Sequence, residues 1–145
     1  MAEPLRLAQA CPASGDVPVG AVVCDASGAV IGTGRNTRER DGDPAGHAEI
    51  VALRAAAGQR GTWRLDGCTL VVTLEPCVMC TGALLQARIT RVVFGAWDDK
   101  AGACGSVWDL ARDRAALHRA EVIAGVRAAE CAELLAEFFR TRRDT

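Results

Sequence analysis

The chain has 145 residues, half of them hydrophobic and 24 % charged, with a formal net charge of −1. This composition predicts a single globular domain over 1–145 and excludes a disordered chain. No apolar run approaches the ~20 residues of a membrane span, and Met1-Ala2-Glu3-Pro4 lacks the basic and apolar stretches of a secretory signal. The expected location is the cytoplasm, where the seven cysteines stay reduced. Two of these fall in a metal-type motif. Cys11, Cys24, Cys68, Cys104 and Cys131 are expected to act as small apolar residues.

In chain order, Leu5 to Cys11 reads as a short helix ended by Pro12 and the turn Ser14-Gly15-Asp16. Val17 to Cys24 is valine-rich and strand-like. Asp25-Ala26-Ser27-Gly28 makes a hairpin turn, and Ala29 to Gly34 runs back. Arg35 to Gly46 is polar, with Gly and Pro, and reads as a loop. A helix is expected from His47 to Ala57, stopped at Gly58, then a strand over Cys68–Leu74. Pro76 suits the first turn of a helix reaching about Ala87, and Arg91–Ala96 is a fourth strand.

Asp98 to Arg119 is long enough to cross back over a sheet, with helical character near Val107–Leu117. Glu121–Ala124 is a short fifth strand. Arg127–Arg142 is an amphipathic helix with apolar Cys131, Leu134, Leu135, Phe138 and Phe139 at helical spacing. Alternating helices and strands imply one sheet with helices on both faces, and right-handed crossovers after the third and fourth strands. The basic end, Arg140-Thr141-Arg142-Arg143, suits a solvated helix C-terminus.

Chemistry is concentrated in His47-Ala48-Glu49 and Pro76-Cys77-Val78-Met79-Cys80, the pattern H-x-E followed by P-C-x-x-C. Both segments fall at predicted helix starts, where free N–H groups and the helix dipole favour thiolate over thiol. His47, Cys77 and Cys80 supply one imidazole and two thiolates, three protein ligands for Zn2+ with a fourth position open to water. That is the arrangement of a catalytic zinc, whereas a structural zinc takes four protein ligands. Glu49 can move protons beside that water. Either half of the pattern is weak alone, and C-x-x-C by itself could be redox-active or structural.

The joint pattern is that of zinc nucleobase deaminases. The chain resembles the bacterial tRNA adenosine deaminases of the cytidine/deoxycytidylate deaminase superfamily. The likeness runs through Asp16-Val17-Pro18-Val19-Gly20-Ala21-Val22, Asp43-Pro44-Ala45-Gly46-His47-Ala48-Glu49-Ile50 and Thr73-Leu74-Glu75-Pro76-Cys77-Val78-Met79-Cys80. It continues in Phe94-Gly95-Ala96, Lys100-Ala101-Gly102-Ala103, Glu130-Cys131-Ala132-Glu133-Leu134-Leu135 and Phe138-Phe139-Arg140. The resemblance implies a three-layer α/β/α cytidine-deaminase-like fold with a five-stranded mixed sheet. It also implies a homodimer, one Zn2+ per chain, and conversion of adenosine to inosine at the wobble position of a tRNA anticodon stem-loop. By resemblance His47, Cys77 and Cys80 are zinc ligands and Glu49 is the proton shuttle. Val17, Asn36 and the Ala48 backbone would hold the base, and Asp98 the adjacent nucleotide backbone. Phe139, Arg140 and Arg143 would touch the anticodon loop.

The sequence departs from the family pattern at a few positions. Trp97 stands where relatives often carry a small or polar residue, and could stack a flanking base or pack at a rim. Gly46 replaces a more usual Ala, and Leu117 an Asn before His118, which is expected to be structural. Trp63 and Trp108 are expected to pack. Two rival functions share the motif: a deaminase of free guanine, cytosine or cytidine, and a non-catalytic zinc module. Glu49 argues against the latter, because a structural site needs no proton carrier.

Overall fold

The computed structural model describes residues 1–143. In chain order it contains α1 (Ala2–Gln9), β1 (Gly20–Cys24), β2 (Val30–Arg35), α2 (Arg38–Asp41), α3 (Ala48–Arg60) and β3 (Thr69–Leu74). These are followed by α4 (Val78–Gln86), β4 (Arg91–Ala96), β5 (Glu121–Ile123) and α5 (Ala128–Arg143). The strands form one sheet in the order β2-β1-β3-β4-β5. β1 pairs antiparallel with β2 and β3, whereas β3–β4 and β4–β5 are parallel. The sheet is therefore mixed and five-stranded, as expected.

Glycines on the strands let helices approach closely, and they show which helix covers which face. A Cβ on Gly34 of β2 would lie 2.4 Å from the Ala48 carbonyl oxygen, and one on Gly32 2.5 Å from that of Ala52. Thus α3 rests directly on β2. On the opposite face, a Cβ on Gly20 would meet the Pro4 carbonyl of α1 at 2.0 Å, and one on Gly95 the Cys131 sulfur of α5 at 2.3 Å. The larger core lies between the sheet and α3 and α4, with Leu70, Val72, Leu84, Ile89, Val92 and Phe94 fully buried. Burial of each such side chain contributes about 1.5–3 kcal/mol relative to exposure. A smaller cluster of Leu5, Ala96 and Cys131, with Leu134 and Leu135, sits under α1 and α5.

Several local expectations are corrected. The first helix begins at Ala2 rather than Leu5, and Cys11–Ser14 forms a separate 3-10 turn. Val17–Val19 lie outside β1. Within the expected 35–46 loop, α2 forms one helical turn. Gly58 stays helical, and α3 ends instead at Gly61, whose φ of 77° is the left-handed cap that glycine adopts without strain. The α4 helix starts at Val78, so Pro76 precedes it and Cys77 is its cap. The helix expected near Val107–Leu117 reduces to a 3-10 turn, Leu110–Arg112.

The tryptophans are more exposed than a packing role implies. Trp63 is 58 % exposed with Arg64 and Arg88 over its ring, and Trp108 is 49 % exposed. Trp97 stands edge-on to Phe94. His118 has the expected structural setting, its Nε2 2.7 Å from the Ile89 carbonyl oxygen. Cys11, Cys68, Cys104 and Cys131 are buried and free.

Candidate active site

Strand direction gathers the site. The parallel strands β3 and β4 end at Leu74 and Ala96, leading into Glu75-Pro76-Cys77 and Trp97-Asp98. β1 runs antiparallel to β3, so Val17–Val19 approach that same end, and β2 delivers Asn36 to it. The helices α3 and α4 also start there. His47 and Cys77 are their N-cap residues, both in extended backbone conformation. Glu49 and Cys80 follow in the first turns, so all four groups converge from helix starts that carry free N–H groups.

The His47 Nδ1 lies 3.6 Å from Cys77 Sγ and 3.4 Å from Cys80 Sγ. A tetrahedral zinc with Zn–N ~2.0 Å and Zn–S ~2.3 Å places its nitrogen and sulfur ligands ~3.5 Å apart. The three donors therefore fit zinc in both type and spacing. Among the described residues no other group of His, Cys, Asp and Glu side chains converges in this way. Three protein donors leave the fourth tetrahedral position available for a small molecule.

The two thiols share their proton unequally. Cys80 hydrogen-bonds to the Cys77 sulfur and, against burial and with help from His47, holds it down at about 4. Cys80 is pushed far up, first by keeping that proton against Cys77 and then by burial. The hydrogen bond to Cys77 raises His47, with burial opposing. Burial pushes Glu49 up to about 7, while its own backbone N–H and the His47 charge pull it down. A carboxyl poised near neutrality can both take and return a proton at physiological pH.

A cavity of about 290 Å³ opens onto this cluster. Of the residues singled out in the sequence, Val17, Asn36, His47, Ala48, Glu49, Cys77, Asp98 and Phe139 line it, while Cys80 is buried behind Cys77. Asn36 donates from Nδ2 to the Val17 carbonyl at 3.1 Å and accepts the Arg38 N–H at Oδ1, also at 3.1 Å. One donor hydrogen and one acceptor lone pair of the amide remain for a ligand edge. Asp98 accepts the N–H groups of Lys100 and Ala101 through Oδ1 at 3.1 and 3.2 Å, which leaves Oδ2 outside that turn.

The structure does not bring Arg140 or Arg143 to the cavity. Arg140 is exposed and pairs with Glu133 at 3.0 Å, and Arg143 is exposed at the helix end. Arg142 lines the wall instead, with its guanidinium 4.9 Å from the Phe138 ring. On a helix, residues three and four apart share a face. Phe138, Phe139 and Arg142 thus form one surface, which position along a basic run could not reveal.

Two buried carboxylates escaped the sequence reading. Asp16 is fully buried and accepts the Ser14 hydroxyl at 2.5 Å and the N–H groups of Glu39 and Arg40 at 2.6 and 3.2 Å. It thereby ties α2 and the Asn36 segment to the 3-10 turn. Burial raises its carboxyl, but these hydrogen bonds outweigh burial and hold it below its ordinary value. Glu75, 2 % exposed, receives backbone N–H groups from the segment after β4. Its signal was an acid placed between an apolar strand and Pro76.

Residues 1–96 match the cytidine and deoxycytidylate deaminase zinc-binding region. The tRNA-specific adenosine deaminase of Haemophilus influenzae is 48 % identical over 140 residues, covering 97 % of this chain and 81 % of that protein. The tRNA(Ile)-lysidine synthase of Deinococcus radiodurans is 55 % identical over 139 residues, but that match covers 96 % of this chain and 24 % of the relative. The chain thus spans about a quarter of that relative's length. A solved structure from a study of A-to-I editing by tRNA:A34 deaminases at the wobble position superposes with a TM-score of 0.89 at 38 % identity, covering 93 % of this chain and 97 % of that one. With the zinc-type donor triad, the buried Glu49 and the five-stranded sheet that presents them, the match shows that the chain belongs to the cytidine and deoxycytidylate deaminase family.

Proposed function

We propose that the protein hydrolytically deaminates adenosine to inosine at the wobble position of a tRNA anticodon. The observation that carries this reading is one cavity lined by His47, Cys77 and Glu49, with the buried Cys80 completing the donor triad and Asn36, Asp98 and Phe139 on the same lining. The names of the Haemophilus influenzae relative and the superposed structure support the substrate. In this reading His47, Cys77 and Cys80 hold one zinc per chain, and the ion when bound lowers the pKa of water toward about 7 and so supplies a nucleophile at neutral pH.

Glu49 takes a proton from the attacking water and delivers it to the adjacent ring nitrogen. The water oxygen bonds to C6 of the base and gives a tetrahedral carbon. Glu49 then carries the second water proton to the amino group, the C6–N bond breaks and ammonia leaves. Asn36 and the Ala48 N–H fix the edge of the base, and Val17 forms a wall beside it. Asp98 holds the neighbouring nucleotide backbone, and Phe139 with Arg140 and Arg143 meets the anticodon loop. A loop base suits this cavity because extruding a paired base costs a few kcal/mol more.

The protein in this reading is a cytoplasmic homodimer. No helix of the described residues is long and apolar enough to cross a membrane. Leu53, Trp63 and Ala83 line an exposed apolar groove along α3 and α4 that a second copy would cover. Zinc-loaded protein is expected to form inosine in an anticodon stem-loop carrying a wobble adenosine, with one ammonia released per inosine. Turnover of free guanine or cytidine, with no inosine from the stem-loop, would overturn the assignment.

A further inference from the structure

Glu75 is a buried acid held by backbone N–H groups. Its Oε1 accepts the Asp98 N–H at 3.0 Å, and its Oε2 accepts the N–H groups of Cys104 and Ser106 at 3.0 and 3.1 Å. All three donors belong to one segment, which leaves β4 and curls around the carboxylate. Gly102 lies inside the curl, where a Cβ would come within 2.2 Å of Glu75 Cδ and 2.3 Å of the Ser106 hydroxyl oxygen. The Ser106 hydroxyl donates to the Asp98 carbonyl at 2.7 Å, and the Gly102 N–H donates to the same carbonyl at 2.9 Å. Asp98 is therefore held at both its N–H and its carbonyl, and both constraints lead back to Glu75.

We infer that Glu75 is a positioning residue for substrate binding: it sets where Asp98 stands at the cavity wall, and so how tightly the nucleotide beside the reacting base is held. The inference rests on the proposed function, in which Asp98 contacts that nucleotide. Glu49, His47 and Cys80 sit on the helix starts, whereas Cys77 is bridged to Gly102 of the curl and the Ala103 N–H donates to the Pro76 carbonyl at 2.8 Å. Releasing Asp98 while the Cys104 and Ser106 bonds persist leaves that bridge in place and spares the chemical step. A fully buried carboxylate accepting three backbone N–H bonds has few substitutes. Glutamine carries one oxygen, and its NH2 must face an N–H wherever it turns. The orientation that loses fewest bonds keeps Cys104 and Ser106 and releases Asp98.

Glu75→Gln is expected to raise KM for the wobble-adenosine stem-loop about tenfold, the effect of losing one hydrogen bond to a charged group. Its kcat should stay within about twofold, because a bond used equally in the ground and transition states changes KM alone. Zinc content should equal that of the wild type. Asp98→Ala should raise KM similarly, and the double variant should be no worse than the poorer single one, because both changes remove one interaction. Ser106→Ala removes the hydroxyl that holds the Asp98 carbonyl, is expected to give the same KM defect, and decides the matter if Glu75→Gln does not fold. A fall in kcat at constant KM, multiplicative losses in the double variant, or an unchanged KM in Asp98→Ala overturns the inference. Failure of the wild type to form inosine instead removes the proposed function on which it rests.

Discussion

The contact between β2 and α3 gives a direct way to displace the chemistry without touching it. Gly34→Ala places a Cβ 2.4 Å from the Ala48 carbonyl oxygen and 2.6 Å from the Ala52 nitrogen. Both are backbone atoms of α3, so no side chain can swing aside. Ordinary carbon contacts begin near 3.5 Å, and the helix must therefore retreat by about 1 Å. His47 and Glu49 ride on its first turn, whereas Cys77 and Cys80 stay with α4. The triad opens on one side and, in the proposed reaction, Glu49 withdraws from the attacking water. Overpacking of this kind costs about 1–3 kcal/mol, a fall in Tm of about 6 °C in a chain of this size. A 1 Å misplacement of the proton carrier costs about 100-fold in kcat.

Single-turnover inosine formation and thermal denaturation read the two effects separately. Gly58→Ala is the control. Gly58 lies in the same helix, and its Cβ would meet nothing within 4 Å, so α3 should gain about 0.5–1 kcal/mol with unchanged kcat. If Gly34→Ala keeps kcat within about threefold while zinc stays bound, the argument that α3 height sets the geometry is wrong, since a 1 Å displacement should cost far more.

Glu49→Gln should keep its zinc and lose at least about 100-fold in kcat, and near-normal turnover would remove Glu49 from the mechanism. In metal-free protein, burial raises Glu49 from 4.5 to about 7. The folded state thus binds this proton more tightly than the unfolded one. Its stabilising contribution is complete below the unfolded value and is lost as pH rises toward 7, a change of about 3 kcal/mol. Urea midpoints should show this fall in the metal-free wild type and not in metal-free Glu49→Gln.

Zinc binding at neutral pH should release about one to two protons, because Cys80 holds its thiol proton and His47 is raised, whereas Cys77 is already ionised. Calorimetry in buffers of different ionisation enthalpy measures this, and a release near zero would contradict the assigned thiol states. Asp16→Ala should cost about 1–3 kcal/mol above pH 5 by leaving the Glu39 and Arg40 N–H groups without their acceptor. The Asp16 carboxyl is depressed, so the difference from wild type should shrink as pH falls below its unfolded value of 3.8. A pH-independent difference would exclude the carboxylate as the source.

The zinc-type donors and Glu49 were legible in the chain because their chemistry depends on residue type at short spacing, and both motifs lie at helix starts that local signals mark. The hairpin at Asp25–Gly28 and strand β4 were legible for the same reason, as local turn chemistry and a valine run. Gly61, rather than Gly58, ends α3, and Arg142, rather than Arg140 or Arg143, reaches the cavity. These outcomes depend on backbone conformation and helix phase, which residue type alone does not specify. Asp16 and Glu75 were hidden for a deeper reason. Each is a carboxylate satisfied by backbone N–H groups at least 23 residues away in the chain, and any residue type except proline offers such a donor. Sequence alone determined which atoms could bind a metal and move a proton; only the packing of α3, α4 and the segment after β4 at one end of the sheet decided which groups surround them.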